Sequence, residues 1–172
     1  MTAQARSFPD DRRWGPTTGR LRAAMVAFAK TPAGSWTVRT MTPLDRAILR
    51  RTKGRYTALG PIGATMALVT TTGRTSGEPR TVPLYYQREE PDIFVVGSNF
   101  GQEHHPGWTA NLLADPRCVV TIGGVDTEAR ATLLDGPEAD RIYATFADNV
   151  DTYRTYRGRT DRTIRVFRLS PV

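Results

Sequence analysis

A glycine pair between two strand-like segments is the feature that most constrains the fold. Gly123-Gly124 separates the apolar run Cys118–Ile122 from the longer segment Val125–Leu134. Two consecutive glycines favour a tight β-hairpin, because both central residues of such a turn adopt positive φ. In the second segment apolar residues alternate with polar ones, so one face of that strand is predicted to be buried. The alternating apolar residues are Val125, Ala129, Ala131 and Leu133.

The remaining apolar and β-branched runs extend this hairpin into a sheet. They predict strands at Met66–Thr72, Thr81–Gln87, Ile93–Ser98 and Thr163–Leu169, and helices at Thr42 to about Lys53, Pro106–Ala114 and Pro137–Asp148. A doubly wound parallel sheet needs a helix after nearly every strand, and this order does not supply one. We therefore predict an α+β fold, mainly antiparallel β, closed into a small barrel with flanking helices.

Basic residues are concentrated at the beginning of the chain. The 172 residues include 24 Lys and Arg against 17 Asp and Glu, for a net charge of +7. Residues 1–60 carry 12 basic and 3 acidic side chains, whereas residues 61–172 carry 12 and 14. We predict a basic, partly helical arm over residues 1–41 and one domain over residues 42–172. Such an arm can make weak contact with an anionic membrane surface.

Several classes of protein are excluded or disfavoured. The single cysteine, Cys118, excludes an intramolecular disulfide and is expected to be inert core. Two histidines, His104 and His105, are too few ligands for a His/Cys zinc site. No run approaches the ~18 apolar residues of a membrane-spanning helix, and a cytoplasmic location is expected. Hydrolase elbows, Rossmann fingerprints and nucleic-acid-binding motifs are absent from the sequence, so we expect no nucleic-acid partner.

The densest polar cluster is Thr70–Arg80, with the sequence TTTGRTSGEPR. Its two glycines allow the backbone to turn, and two guanidinium groups and several hydroxyls supply hydrogen-bond donors. Such donors suit a phosphate or a carboxylate, because arginine binds these groups through two parallel hydrogen bonds. An ordinary polar hairpin loop explains the same composition equally well.

Two further clusters contain aromatic residues. Trp108 follows the segment Ser98–Gly101 and, from the sequence alone, is expected to be a core residue rather than a stacking partner for a planar ligand. Tyr153 and Tyr156 are three residues apart and face the same way on a helical turn. They can hydrogen-bond a substrate oxygen or donate a proton. The alternative is a half-buried aromatic pair at the edge of the domain.

Three blocks together resemble the deazaflavin (F420)-dependent nitroreductase family. They are LVTTTGRTSGEPRTVPLYY, VVGSNFGQEHHPGWTANLLADP and YRTYRGRTDRTI, and they occur in the family's order from about Met66 to the end of the chain. The resemblance implies a split β-barrel that binds reduced F420, with FMN a less favoured cofactor. It also implies hydride transfer to an electron-poor small molecule, such as a quinone, an enone or a nitroaromatic compound. Both a monomer and a homodimer are compatible with it.

The resemblance assigns the first block to the acidic end of the cofactor. It implies that Arg74 and Arg80 hold the phosphate and the acidic tail. It implies that Gly73, Ser76 and Gly77 shape the pocket around them.

The other matched positions are assigned to the ring and to the substrate. The resemblance places Pro83, Leu84, Tyr85, Ser98 and Trp108 beside the deazaflavin ring. It places Tyr153 and Tyr156 over the substrate, and these tyrosines with Ser98 form the predicted catalytic set.

The chain departs from the family at three positions. Thr75 and Asn99 belong to the predicted cofactor site but stand where lysines are usual, and Val150 replaces a further tyrosine. These departures motivate an alternative hypothesis. In it the chain is a divergent member of the family that acts on a natural-product biosynthetic intermediate, with or without net redox turnover. The third hypothesis is a protein of a different class, a non-catalytic binding module with a basic arm. It predicts binding to an anionic partner that depends on the arm, and no affinity for F420.

Overall fold

The computed structural model describes residues 7–11, 65–150 and 152–172. It also describes Arg20, Ala24, Leu44, Ala47, Ile48, Arg51 and Thr52. Most of the predicted arm, the boundary at residue 42 and most of the predicted helix from Thr42 to about Lys53 lie outside these residues. Leu44, Ala47, Ile48 and Arg51 are helical.

Six antiparallel strands form a closed barrel. They are β1 (Met66–Thr72), β2 (Pro79–Glu89), β3 (Asp92–Val96), β4 (Arg117–Ile122), β5 (Val125–Leu134) and β6 (Val166–Pro171). Their order around the barrel is β1-β2-β3-β6-β5-β4, and pairing of β1 with β4 closes it. The predicted α+β split barrel is confirmed, with strand ends that differ from the predicted ones by a few residues.

Helical segments connect the strands. They are a short 3-10 turn (Asn99–Gly101), α1 (Gly107–Ala114), α2 (Gly136–Asn149) and α3 (Thr152–Arg157). The helices predicted at Pro106–Ala114 and Pro137–Asp148 are confirmed as α1 and α2. Among the described residues, no helix is long and apolar enough to cross a membrane.

Inward-facing side chains fill the barrel because successive residues of a strand point to opposite faces. Val69, Tyr86, Val95, Val120, Phe167 and Leu169 are each at most 1% exposed. On β5 the predicted alternation holds for Ala129 and Ala131, which are buried. It is wrong for Val125 and Leu133, which are 54% and 43% exposed. Val125 directly follows the hairpin turn, and at the other end of β5 the neighbouring Leu134 is buried instead, because it packs into the cluster that includes α2.

A short N-terminal segment, residues 7–11, packs against the barrel. Phe8 is buried in the barrel core. Arg88 on β2 donates hydrogen bonds to the carbonyl oxygens of Phe8 (3.3 Å) and Pro9 (2.6 Å). The carboxylate of Asp11 accepts hydrogen bonds from Arg88 and from the hydroxyl of Tyr86, both at 2.8 Å. Part of the predicted arm is therefore attached to the domain.

A second apolar cluster joins α2 to the outer face of β2, β3 and β6. Ile142, Tyr143 and Phe146 on α2 pack against Phe94 and Val96 on β3. This cluster matters for function because two predicted site residues, Tyr85 and Tyr153, pack against the same core.

Replacing Phe146 tests this arrangement. Phe146 is fully buried, so Phe146→Ala leaves a cavity and is expected to lower the free energy of unfolding by about 3–5 kcal/mol. Phe100→Ala is the matched control, because Phe100 is 60% exposed and leaves no cavity. Urea denaturation measures both changes, and equal losses in the two variants would contradict the packing described here.

Candidate active site

The loop between β1 and β2 is a closed turn of residues 73–78. The amide of Gly73 donates to the carbonyl of Glu78 (2.8 Å), and the amide of Gly77 donates to the carbonyl of Gly73 (2.7 Å). Gly77 has φ +70°, a conformation that favours glycine. A Cβ atom on Gly73 would lie 2.7 Å from Ser76 Oγ and 3.1 Å from the carbonyl oxygen of Glu78, so a side chain there would displace Ser76 and crowd the turn.

A buried asparagine on α1 holds this loop to the barrel. Asn111 Oδ1 accepts a hydrogen bond from the backbone amide of Arg74 (3.2 Å), and Nδ2 donates to Thr71 Oγ1 (3.0 Å). Asn111 was not among the predicted site residues. The signal was a polar residue within the apolar helical run WTANLL, because a buried amide requires hydrogen-bond partners.

The loop and α1 border a small, open cavity with positive side chains. Its volume is about 230 Å³, and it is lined by Gly73, Arg74, Thr75, Ser76, Arg80, Gly107 and Asn111. We call these residues the anion cradle. Arg74 and Arg80 are exposed. Among the described residues, no carboxylate lies within ion-pair distance of either guanidinium group.

The donor set of the anion cradle fits a phosphate or a carboxylate. Two guanidinium groups and the hydroxyls of Thr75 and Ser76 line the cavity, and Gly107 contributes the first residue of α1. The beginning of a helix presents free amide hydrogens and a partial positive charge. The cavity is smaller than the roughly 300–1,000 Å³ of a typical small-molecule pocket. It therefore suits the anionic end of a larger ligand.

A second loop, residues 97–105, is held by one arginine that the sequence analysis did not single out. Arg162 donates to the carbonyl oxygens of Ser98 (2.7 Å), Gln102 (2.8 Å) and Gly97 (3.1 Å). Its remaining Nη1 lies 3.1 Å from His105 Nδ1. Since arginine only donates, that ring nitrogen must accept, and the imidazole is neutral in this contact.

The predicted site residues Ser98 and Asn99 lie in this loop. Ser98 is buried. Asn99 has φ +46°, which asparagine tolerates better than most residues. Its side-chain amide donates to Gln102 Oε1 (3.2 Å) and to the carbonyl of His104 (3.0 Å). The side chain of Asn99 thus stabilises the loop itself.

The tyrosines form a continuous aromatic cluster with α2, made of Tyr85, Tyr143, Phe146, Tyr153 and Tyr156. The centroid of Tyr153 lies 5.3 Å from Phe146, 5.7 Å from Tyr156 and 6.3 Å from Tyr85. The predicted proximity of Tyr153 and Tyr156 is confirmed. Burial raises the pKa of Tyr153, and the neighbouring tyrosines raise it further, so its phenol remains protonated at neutral pH.

The other predicted residues are distributed over two faces. On β2, Leu84 packs against the barrel core, whereas Tyr85 packs against the outer cluster. Trp108 is 6% exposed and lies 5.6 Å from Phe167 in the barrel, as expected of a core residue. Pro83 lies between Leu84 and Val82 on β2, paired with Leu68. The roles of these residues beside a cofactor ring stay predictions.

The remaining polar groups offer little other chemistry. Cys118 is buried, and desolvation raises the pKa of its thiol to about 12, which confirms it as unreactive core. In the part of the chain that the structure describes, no group of three or more His, Cys, Asp or Glu side chains is placed to hold a metal ion.

A closed antiparallel barrel that carries both an anion cradle and an aromatic cluster defines a class of cofactor-binding barrel. Comparison with known proteins makes the class specific. The family model of the F420H2-dependent quinone reductases matches residues 38–171. The chain belongs to this family.

Individual relatives agree with this assignment. An F420H2-dependent quinone reductase of Mycobacterium tuberculosis is 32% identical over 130 residues, which cover 74% of this chain and 87% of the relative. A solved F420H2-dependent reductase is 33% identical, with a TM-score of 0.57 over 61% of this chain and 93% of the other. Another structure, described as a domain-swapped dimer, is 31% identical, with a TM-score of 0.59 over 79% and 98% of the two chains.

The comparisons confirm the predicted class of enzyme. The protein is an F420-dependent oxidoreductase with a small-molecule substrate, and its family is named for quinone reduction. The anion cradle fits the phosphate and acidic tail that the sequence analysis assigned to this cofactor, because its donors are positively charged and lack carboxylate partners in the described structure.

Removing the amide of Asn111 is expected to destabilise the anion cradle. Asn111→Ala leaves the buried Thr71 hydroxyl and the Arg74 amide without this partner, at a cost of about 1–3 kcal/mol in unfolding free energy. Asn149→Ala is the control, because the Asn149 side chain bonds only an exposed carbonyl at the end of α2. Urea denaturation measures the unfolding free energy of both variants. An Asn111 variant as stable as the control would contradict the role of this amide.

The surroundings of His105 predict a lowered pKa for its imidazole. Burial, Arg165 and Arg162 lower the pKa of His105, so its NMR titration midpoint is expected below the ordinary value of about 6.5. In the unfolded chain, His105 binds its proton more tightly than it does in the folded protein. His105 therefore makes folding stability rise with pH between the lowered pKa and about 6.5. Arg162→Gln should raise the midpoint, and an unchanged midpoint at or above 6.5 would contradict the contact.

Proposed function

We propose that the anion cradle anchors the phosphate and acidic tail of F420 and that the aromatic cluster receives the electron acceptor. One observation carries this proposal: Arg74 and Arg80 extend from the same loop, both exposed and both without a carboxylate partner in the described structure. Among the described residues, six other arginines are paired with carboxylates. They are Arg88, Arg117, Arg141, Arg154, Arg157 and Arg168.

Arg80 lies near the beginning of β2 and Tyr85 five residues later, which corresponds to about 17 Å in extended backbone. Because side chains alternate along a strand, the two leave opposite faces of β2. A ligand that contacts both must therefore be elongated and pass over the end of β2 at which Arg80 lies. When bound, reduced F420 supplies the hydride, and the protein supplies position and electrostatics.

The tyrosines suit the acceptor side of the reaction. Reduction of a quinone to a hydroquinone requires a hydride and a proton, and negative charge develops on the quinone oxygen. Tyr153 is protonated at neutral pH, since burial raises further a pKa that already lies well above 7, and Tyr156 is half-buried beside it. Either phenol can donate a hydrogen bond to that oxygen. Among the acceptors considered, quinones are favoured by the family, and enones and nitroaromatics carry a similar electron-poor group.

The two missing lysines leave the anion cradle dependent on arginine. Thr75 contributes a hydroxyl to the cavity, and the amide of Asn99 is used within its own loop. Arg74 and Arg80 then carry the charge complementarity to the cofactor, helped by the beginning of α1.

Assembly and membrane contact remain predictions of the sequence. One related structure is a domain-swapped dimer, and we retain both a monomer and a homodimer for this chain. Weak contact of the basic arm with an anionic membrane surface concerns residues that lie mostly outside the described part of the structure.

Removing Arg74 tests the anchoring role. Arg74→Ala is expected to weaken F420 binding about 10-fold, because a charge-assisted hydrogen bond to the cofactor is lost, with a partial discount for solvent exposure. A titration with F420 followed by tryptophan fluorescence measures the dissociation constant. Raised ionic strength should weaken wild-type binding more than binding by the variant.

A matched arginine elsewhere on the barrel separates this effect from a general loss of charge. Arg130 is exposed on β5, outside the anion cradle. Arg130→Ala should leave the dissociation constant within about 2-fold of wild type, since screening weakens distant charges. Equal affinity in the Arg74 variant and wild type would refute the anchoring role. Absence of F420 binding by wild-type protein would refute the proposed function.

A further inference from the structure

Phe100 is exposed and has a left-handed backbone, and packing explains neither property. Its side chain is 60% exposed. Its backbone has φ +57°, in the left-handed region that favours glycine, and the preceding Asn99 is also left-handed. Single exposed apolar residues are common. A bulky aromatic residue at positive φ is rare, and such strain persists only where the surroundings enforce it and is concentrated at functional sites.

The surroundings of Phe100 hold its backbone firmly. Arg162 donates to the carbonyl of Ser98 before it and to that of Gln102 after it. The following residue, Gly101, is buried with φ +75°, and a Cβ atom there would lie 3.0 Å from the carbonyl oxygen of Tyr156. The turn is therefore packed tightly against α3, and Phe100 is presented outward from a fixed backbone.

The exposed ring continues the row of aromatic residues on the acceptor side. The centroids of Phe100 and Tyr156 are 6.0 Å apart with an interplanar angle of 80°, an edge-to-face contact. Tyr156 in turn contacts Tyr153. A cavity of about 460 Å³, a volume within the range of small-molecule sites, lies between the loop that carries Phe100 and the segment after α3, and neither Phe100 nor Tyr156 is among its lining residues. Its lining residues are Glu103, Gly158, Arg159, Thr160, Asp161 and Arg162.

We propose that Phe100 is a specificity-determining residue that contacts the acceptor. With Tyr156 it forms an aromatic ledge, defined as these two side chains, that stacks against the second ring of a fused-ring quinone. This inference rests on the proposed function and names the substrate class, planar acceptors larger than a single ring. Arg162 is a positioning residue, because it holds the turn without contributing to the ledge.

The test compares a two-ring quinone with a one-ring quinone. Phe100→Ala is expected to raise the KM for 2-methyl-1,4-naphthoquinone about 3- to 10-fold, in line with the loss of an aromatic contact. The KM for 1,4-benzoquinone should change less than about 2-fold, because that molecule has no second ring to stack. Phe100→Trp should restore the wild-type preference. Arg162→Lys should reduce the preference, since the single ammonium group of lysine cannot replace the several donors with which arginine holds three carbonyl oxygens.

Direct binding supplies a readout that does not depend on turnover. Quenching of tryptophan fluorescence by 2-methyl-1,4-naphthoquinone measures the affinity of the cofactor-free protein for this quinone. Phe100→Ala should lower that affinity about 3- to 10-fold, the factor expected for the KM. Leu133→Ala, which removes another exposed apolar side chain on β5, is the control and should have no effect.

The two proposals fail in different ways. If wild-type protein binds F420 and reduces quinones, but Phe100→Ala changes both quinones equally or neither, the aromatic ledge is refuted and the proposed function stands. If F420 does not bind, the proposed function is refuted. In that case an unchanged affinity of Phe100→Ala for the two-ring quinone refutes the ledge as well.

Discussion

Pairing of β1 with β4 is the interaction on which the rest of the structure depends. It joins Leu68–Thr71 to Cys118–Thr121 and converts a sheet of six strands into a barrel. Closure satisfies the backbone groups that two edge strands would expose. It also fixes the end of β1, from which the cradle loop begins, relative to α1, which precedes β4. The anion cradle is therefore a consequence of barrel closure rather than an independent loop.

Two buried or half-buried polar side chains transmit this rigidity to the loops. Asn111 joins α1 to Thr71 and to the amide of Arg74. Arg162 joins the segment before β6 to the loop that carries Phe100. Each replaces solvent as the hydrogen-bond partner of backbone groups that a loop cannot pair by itself. The exposed site residues can therefore keep defined positions without being buried, which is what recognition by a few polar groups requires.

The sequence predicted the architecture well because local patterns determine it. The glycine pair at residues 123–124 and the alternation around Ala129 and Ala131 are properties of neighbouring residues, and β4 and β5 follow from them. Asn111 and Arg162 could not be assigned, because their partners lie 37 to 65 positions away in the chain and only the closed barrel brings them together. The roles of Arg74, Arg80 and the tyrosines came from resemblance, since spacing alone fits an ordinary polar loop equally well.

Charge pairing explains how a nearly neutral domain can bind an acidic cofactor. Residues 61–172 carry 12 arginines and 14 acidic side chains, so net charge alone would not attract an anion. Half of these arginines are paired with carboxylates, and their fields largely cancel beyond the Debye length. Arg74 and Arg80 are not neutralised in this way by any described residue. The electrostatic potential at the anion cradle therefore depends on these two arginines, and the beginning of α1 adds positive potential at the same place.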